Sequence, residues 1–123
     1  GFLTGKYVRK GEQPEGRFSD GTRKRATALL SSARAFDAVD ALTGHALERG
    51  VPLSQLALAW TVQQPGITSP IIGPRTLEQL EDNLKALELT ITDEDRTRID
   101  AISPPGGVIA PFYEAQFGPN ARW

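Results

Sequence analysis

Ile71-Ile72-Gly73-Pro74-Arg75-Thr76-Leu77-Glu78-Gln79-Leu80-Glu81-Asp82-Asn83 is the stretch on which the fold turns. It begins inside a β-branched run, residues 67–72, flanked by Pro65-Gly66 and Gly73-Pro74, which predicts a short buried strand. Thr76 and Gln79 then have the spacing of a capping box, in which the hydroxyl accepts from the third amide while Gln79 reaches back. Leu77, Leu80, Leu84 and Leu87 follow at spacings of three and four, one apolar stripe on a helix. A strand running into a capped helix aims free amides and the positive dipole end at one point, an arrangement suited to a phosphate. Gly73 allows close backbone approach, Pro74 stiffens the turn, and Arg75 adds a planar, always-charged fork.

Arg75, Gln79 and Asn83 recur every four residues, forming a polar row about 120° from the leucine stripe. Amide side chains donate and accept along one edge of an adenine ring, and Asp82 beside them can accept from an exocyclic amine. The set is chemically coherent for an adenosine bearing a phosphate. An ordinary solvated helix face has the same composition, and pattern alone leaves both readings open.

Working outward, residues 53–62 are apolar around much of a helix circumference, as in a helix buried on more than one side, with Trp60 read as core. Upstream, an Ala-rich helix is expected over roughly 27–49, with Phe36, Val39, Leu42 and Leu47 close to one face; Gly50 sits where a left-handed cap belongs. Downstream, Thr92 ahead of Asp93-Glu94-Asp95 predicts a last capped helix carrying Ile99 and Ile102 inward. A Pro/Gly-rich tail from Pro104 holds Phe112, Tyr113, Phe117 and Trp123, as suited to walling a pocket as to packing outside. One strand cannot form a sheet alone, because both its edges need partners. Those strands are expected outside this chain or from another copy. The abrupt opening Gly1-Phe2-Leu3-Thr4-Gly5-Lys6-Tyr7 likewise reads as a chain entered partway, so a fragment is expected.

The 123 residues are 39% hydrophobic and 24% charged with a net charge of −1, an ordinary composition for one globular domain. No apolar run approaches a membrane span, and the absence of cysteine excludes a disulfide or thiolate metal site. A single histidine, His45, excludes a two-histidine metal site within one copy. Residues 1–25 hold seven basic against three acidic residues, leaving an acidic body; the sustained basic face of a nucleic-acid protein is missing. A cytoplasmic protein is expected, with no nucleic-acid or membrane partner.

Three stretches, Gly1 to Tyr7, Leu56-Ala57-Leu58-Ala59-Trp60 and Ile71 to Asn83, together resemble the C-terminal part of an aldo-keto reductase, in the family's order. The resemblance covers nearly the whole chain and weakens from Pro104. It implies an α/β fold: the C-terminal fragment of a (β/α)8 TIM barrel, mostly helical with one clear buried strand. One partial domain over 1–123 is implied, comprising a cofactor-covering loop (1–25), helices (26–66), strand eight with its two helices (67–103) and a tail (104–123). By this match Gly1, Leu3, Gly5 and Lys6 lie along the pyrophosphate of NADP(H), and Arg17 is the nearest candidate to fold over the dinucleotide. Arg75 sits at the adenosine 2′-phosphate, Gln79, Asp82 and Asn83 meet the adenine, and barrel sites form at the C-terminal ends of strands.

The family's catalytic Asp, Tyr, Lys and His belong to earlier barrel strands, and their motifs are absent from this sequence. Tyr7, Tyr113 and His45 sit in no such motif, so no catalytic residue is assigned. The expected function is the cofactor-binding part of an NADP(H)-dependent reductase that passes hydride to a small carbonyl substrate, inactive without the rest of the barrel. The competing expectations are a non-catalytic nucleotide-binding or self-associating module, and a purely structural helical domain.

Overall fold

A computed structural model describes residues 1–14, 29–107 and 109. Arg17 and the tail aromatics Phe112, Tyr113, Phe117 and Trp123 lie outside the described residues. Four α-helices are described: α1 (Ala33–Glu48), α2 (Leu53–Val62), α3 (Leu77–Leu84) and α4 (Asp93–Ile102). Short 3-10 turns at Phe2–Thr4 and Lys85–Leu87 also occur among the described residues, and residues 29–30 are helical, set off from α1 by a turn at Ser31.

The centre is α2, which packs against α1, α3 and both 3-10 turns, while α4 packs on α1. None of its ten residues is exposed, in line with its apolar circumference, and Leu56 and Ala59 are fully buried. Val39, Ala46, Leu53, Leu56, Ala59, Ala86 and Ile91 form the core, with Leu42 and Trp60 packed against it. Phe2 meets Phe36 edge-on at 5.3 Å between centroids, seating the N-terminal turn beside α1.

Helix α1 starts at Ala33, later than the expected 27, because Ser32 adopts an extended conformation and its hydroxyl accepts from the Ala35 amide at 3.1 Å. It ends as expected at Gly50, whose φ is 67°. There the Val51 amide donates to Ala46 O and the Gly50 amide to Leu47 O, satisfying two orphan carbonyls. Leu47 leaves the expected apolar face and is 72% exposed. Helix α4 carries Ile99 buried and Ile102 half-buried, as its pattern predicts.

One expectation fails at residues 67–72. Residues 67–72 form no strand: they are irregular coil, and Ile67, Ile71 and Ile72 are exposed. The physical reason is the missing ladder, since a strand needs backbone partners on its edges and the described residues supply none. The leucine stripe of α3 likewise lacks a cover; Leu77, Leu84 and Leu87 are exposed and only Leu80 is half-buried.

Candidate functional site

The α3 N-terminus is built by three neighbouring residues. Thr76, extended at φ −127°, accepts from the Gln79 amide through Oγ1 at 3.2 Å. The Gln79 side chain turns back as expected, but its Oε1 accepts from the Arg75 amide at 2.8 Å instead of the Thr76 amide. The reciprocal cap is therefore shifted one residue upstream, and it holds the Arg75 backbone against the helix start. Arg75 thus precedes the helix, and its place beside Gln79 comes from this hydrogen bond, with helical periodicity beginning only at Leu77.

The Arg75 guanidinium is exposed and forms no ion pair among the described residues. The first-turn amides of Leu77 and Glu78 have no acceptor among them either. A fixed backbone, free helix amides and an uncommitted fork form a donor set that fits a phosphate monoester. The Glu78 carboxylate also sits in that first turn and offsets part of the dipole. Gly73 is exposed, with open space where a Cβ would stand, so its backbone is accessible.

Asp82 is half-buried and already engaged from α2. Its Oδ1 accepts from Gln55 Nε2 at 2.7 Å and its Oδ2 from Ser54 Oγ at 3.3 Å. Asn83 is half-buried one position on. The sequence reading missed Ser54 and Gln55; the available signal was a glutamine inside a largely apolar helix, where a buried amide demands a partner.

The N-terminal candidates reach the same end of α2 by another route. The 3-10 turn Phe2–Thr4 closes on Gly5, whose φ of 71° is left-handed. A Cβ at Gly5 would stand 3.9 Å from Leu53 Cδ2. Gly5 and Asp82 therefore both abut the first turn of α2, Gly5 at Leu53 and Asp82 at Ser54 and Gln55. Gly1 and Leu3 flank this turn, with Gly1 O accepting from Thr4 Oγ1 at 2.8 Å. Lys6 follows, exposed, with its ammonium 5.2 Å from the Tyr7 ring centroid.

His45 belongs to a buried polar cluster. At 3% exposure it lies under α4, and its Nε2–H donates to Asp95 Oδ1 at 2.8 Å. Asp95 Oδ2 accepts from Arg49, from the Thr92 amide at 2.8 Å and from the Thr92 hydroxyl at 3.0 Å. Burial pushes the Asp95 carboxyl upward, but the Thr92 and Arg49 hydrogen bonds outweigh it and hold the group at about 2. The cluster joins α1 to the capping box of α4 and is separate from the polar row of α3.

A cavity of about 500 Å³ opens between α1, α2 and α4, lined by apolar residues including Phe2, Val39, Leu56 and Trp60. Arg75, Gln79, Asp82 and Asn83 do not line it. No group of three or more His, Cys, Asp or Glu positioned for a metal occurs among the described residues. No described helix is long and apolar enough to cross a membrane.

Comparison with known proteins gives a consistent answer. The family model described as "Aldo/keto reductase family" matches residues 1–104. The chain is 46% identical over 67 residues to an uncharacterized oxidoreductase, YrpG, of Bacillus subtilis (strain 168), covering 54% of this chain and 21% of that protein. It is 32% identical over 102 residues to the L-glyceraldehyde 3-phosphate reductase of Escherichia coli (strain K12), covering 81% and 30%. It is 33% identical over 104 residues to a probable voltage-gated potassium channel subunit beta of Oryza sativa subsp. japonica, covering 83% and 32%. The chain spans between about a fifth and a third of the length of these relatives.

Proposed function

The chain belongs to the aldo/keto reductase family, and from that premise we propose that it forms the part of an NADP(H)-dependent carbonyl reductase that grips the adenosine 2′-phosphate and pyrophosphate of the cofactor. The observation that carries this reading is convergence. Gly5 and Asp82 come from two segments more than 70 residues apart, yet both abut the first turn of α2. At the start of the helix that carries Asp82, the Arg75 backbone is pinned by Gln79.

In this proposal the Arg75 guanidinium and the first-turn amides of α3 bind the 2′-phosphate. Asp82 and Asn83 lie toward the adenine, with Gln79 serving chiefly to fix Arg75. Gly1, Leu3, Gly5 and Lys6 run along the pyrophosphate, with Gly73 giving backbone access; Arg17 is the proposed covering residue. When bound, NADPH supplies the hydride for reduction of a carbonyl to an alcohol. The segment contributes binding energy remote from the reacting carbon, which holds the nicotinamide in place for residues elsewhere in the proposed (β/α)8 barrel. With no catalytic set assigned to it, the segment alone is expected to be inactive. A soluble cytoplasmic setting and a small carbonyl substrate belong to the same proposal.

The test is calorimetric titration of the chain with NADPH and NADH, beside Arg75→Ala. Loss of one charge-assisted bidentate contact should weaken NADPH by about tenfold or more while leaving NADH within about twofold. Equal weakening of both cofactors would defeat the 2′-phosphate assignment.

A second reading has its own support in the exposed Leu77 and Leu84 of α3 and Leu87 of the 3-10 turn after it: a non-catalytic nucleotide-binding module that associates with another copy. Sedimentation analysis over a concentration series separates the two, since self-association predicts a mass that rises with concentration.

A further inference from the structure

The second element that touches Asp82 bears on which base the site accepts. Leu53, Leu56 and Ala59 are the apolar buried residues of α2, and Gln55 is its buried polar exception. A buried amide must be paired, and Gln55 Nε2 finds Asp82 Oδ1 at 2.7 Å. Ser54 Oγ reaches the other oxygen at 3.3 Å. Both carboxylate oxygens are thereby held from one side, and each keeps acceptor capacity on the other.

We propose that Gln55, assisted by Ser54, is a positioning residue: it locks the Asp82 carboxylate to accept from the 6-amino group of adenine, and so makes the site reject 6-oxopurine dinucleotides. The proposal deepens the function argued above and rests on it. An acceptor free to swivel can turn away from a 6-oxo group and lose little. An acceptor clamped at both oxygens cannot, so a hypoxanthine base meets two opposed acceptors with no donor between them. Discrimination then comes from the clamp on α2, although only Asp82 faces the base.

The experiment titrates the full chain with NADP+ and with nicotinamide hypoxanthine dinucleotide phosphate, using the wild type, Gln55→Leu, Ser54→Ala and Asp82→Asn. The wild type should favour the adenine form by about tenfold or more, and Gln55→Leu should bring the ratio within about threefold. Ser54→Ala, which leaves the Gln55 contact and the core in place, should give an intermediate ratio and decides the matter if Gln55→Leu does not fold. A purely structural role for Gln55 would weaken both ligands together and leave their ratio alone. An unchanged ratio in Gln55→Leu or, failing that, Ser54→Ala overturns the proposal. So does a ratio lost in Asp82→Asn but kept in Gln55→Leu. In either case the underlying reading survives if Arg75→Ala still removes the preference for NADP+ over NAD+. Absence of dinucleotide binding by the wild type overturns both.

Discussion

Asp95 has a relative exposure of 1%, yet it collects the contacts of three other side chains: His45, Arg49 and Thr92. A buried carboxylate with that many donors is worth keeping only while every donor stays in place, since removing one partner leaves an uncompensated charge. Asp95→Ala should therefore destabilise the chain by about 3 kcal/mol, read as a shift in the urea midpoint. The acid profile follows from the same contacts. Its folded pKa of about 2 lies below the ordinary 3.8, so the group's contribution is complete above the ordinary value and is lost as pH falls through about 2. Stability measured between pH 5 and pH 2 should fall in the wild type and fall less steeply in Asp95→Asn; matching slopes would show that Asp95 is not the group responsible. His45 shows what a single position hides. Its helical phase gave no hint of Asp95, which lies 50 residues away and faces it only once α4 has packed on α1.

At the scale of elements, α2 and the segment after α3 are joined by one side chain. Gln63 Nε2 donates to Leu89 O at 2.7 Å, and Gln63 Oε1 accepts from the Ile91 amide at 3.0 Å. The amide thus acts as a one-residue strand edge, pairing backbone groups that the described residues otherwise leave open. Gln63→Leu should cost about 2 kcal/mol and speed hydrogen exchange at the Ile91 amide, with little change at amides within α1. Gly50, left-handed at φ 67°, closes α1 with open space around it, so Gly50→Ala should cost about 1 kcal/mol through backbone strain alone. A thermal scan measures the loss, to which packing adds nothing because no neighbour is crowded. Such caps were legible beforehand, since glycine after an apolar helix and Thr92 before three acidic residues are local signals. The partners of Gln63 and Gln55 were not. They lie 26 or more residues away, so a glutamine among apolar residues signals that a partner is needed without saying which.

At the scale of the whole molecule, the exposed apolar residues are the informative departure. Ile71, Leu77, Leu84 and Leu87 face outward although their periodicity belongs to an interior. Leu77→Lys with Leu84→Lys should reduce anilinonaphthalene sulfonate fluorescence while changing stability by no more than about 0.5 kcal/mol, since neither side chain is buried. A large destabilisation would mean that the stripe is covered in solution. The four described helices, the left-handed stop at Gly50, the apolar α2 and the family follow from the sequence by itself, because helix periodicity, capping and glycine conformation act within a few residues. Whether residues 67–72 form a strand, which face of α3 is covered, and which partners Gln55, Gln63, His45 and Asp95 take were decided only by tertiary structure. A ladder, a buried face and a buried polar group each need a partner distant in the chain, and no local pattern encodes where that partner will be.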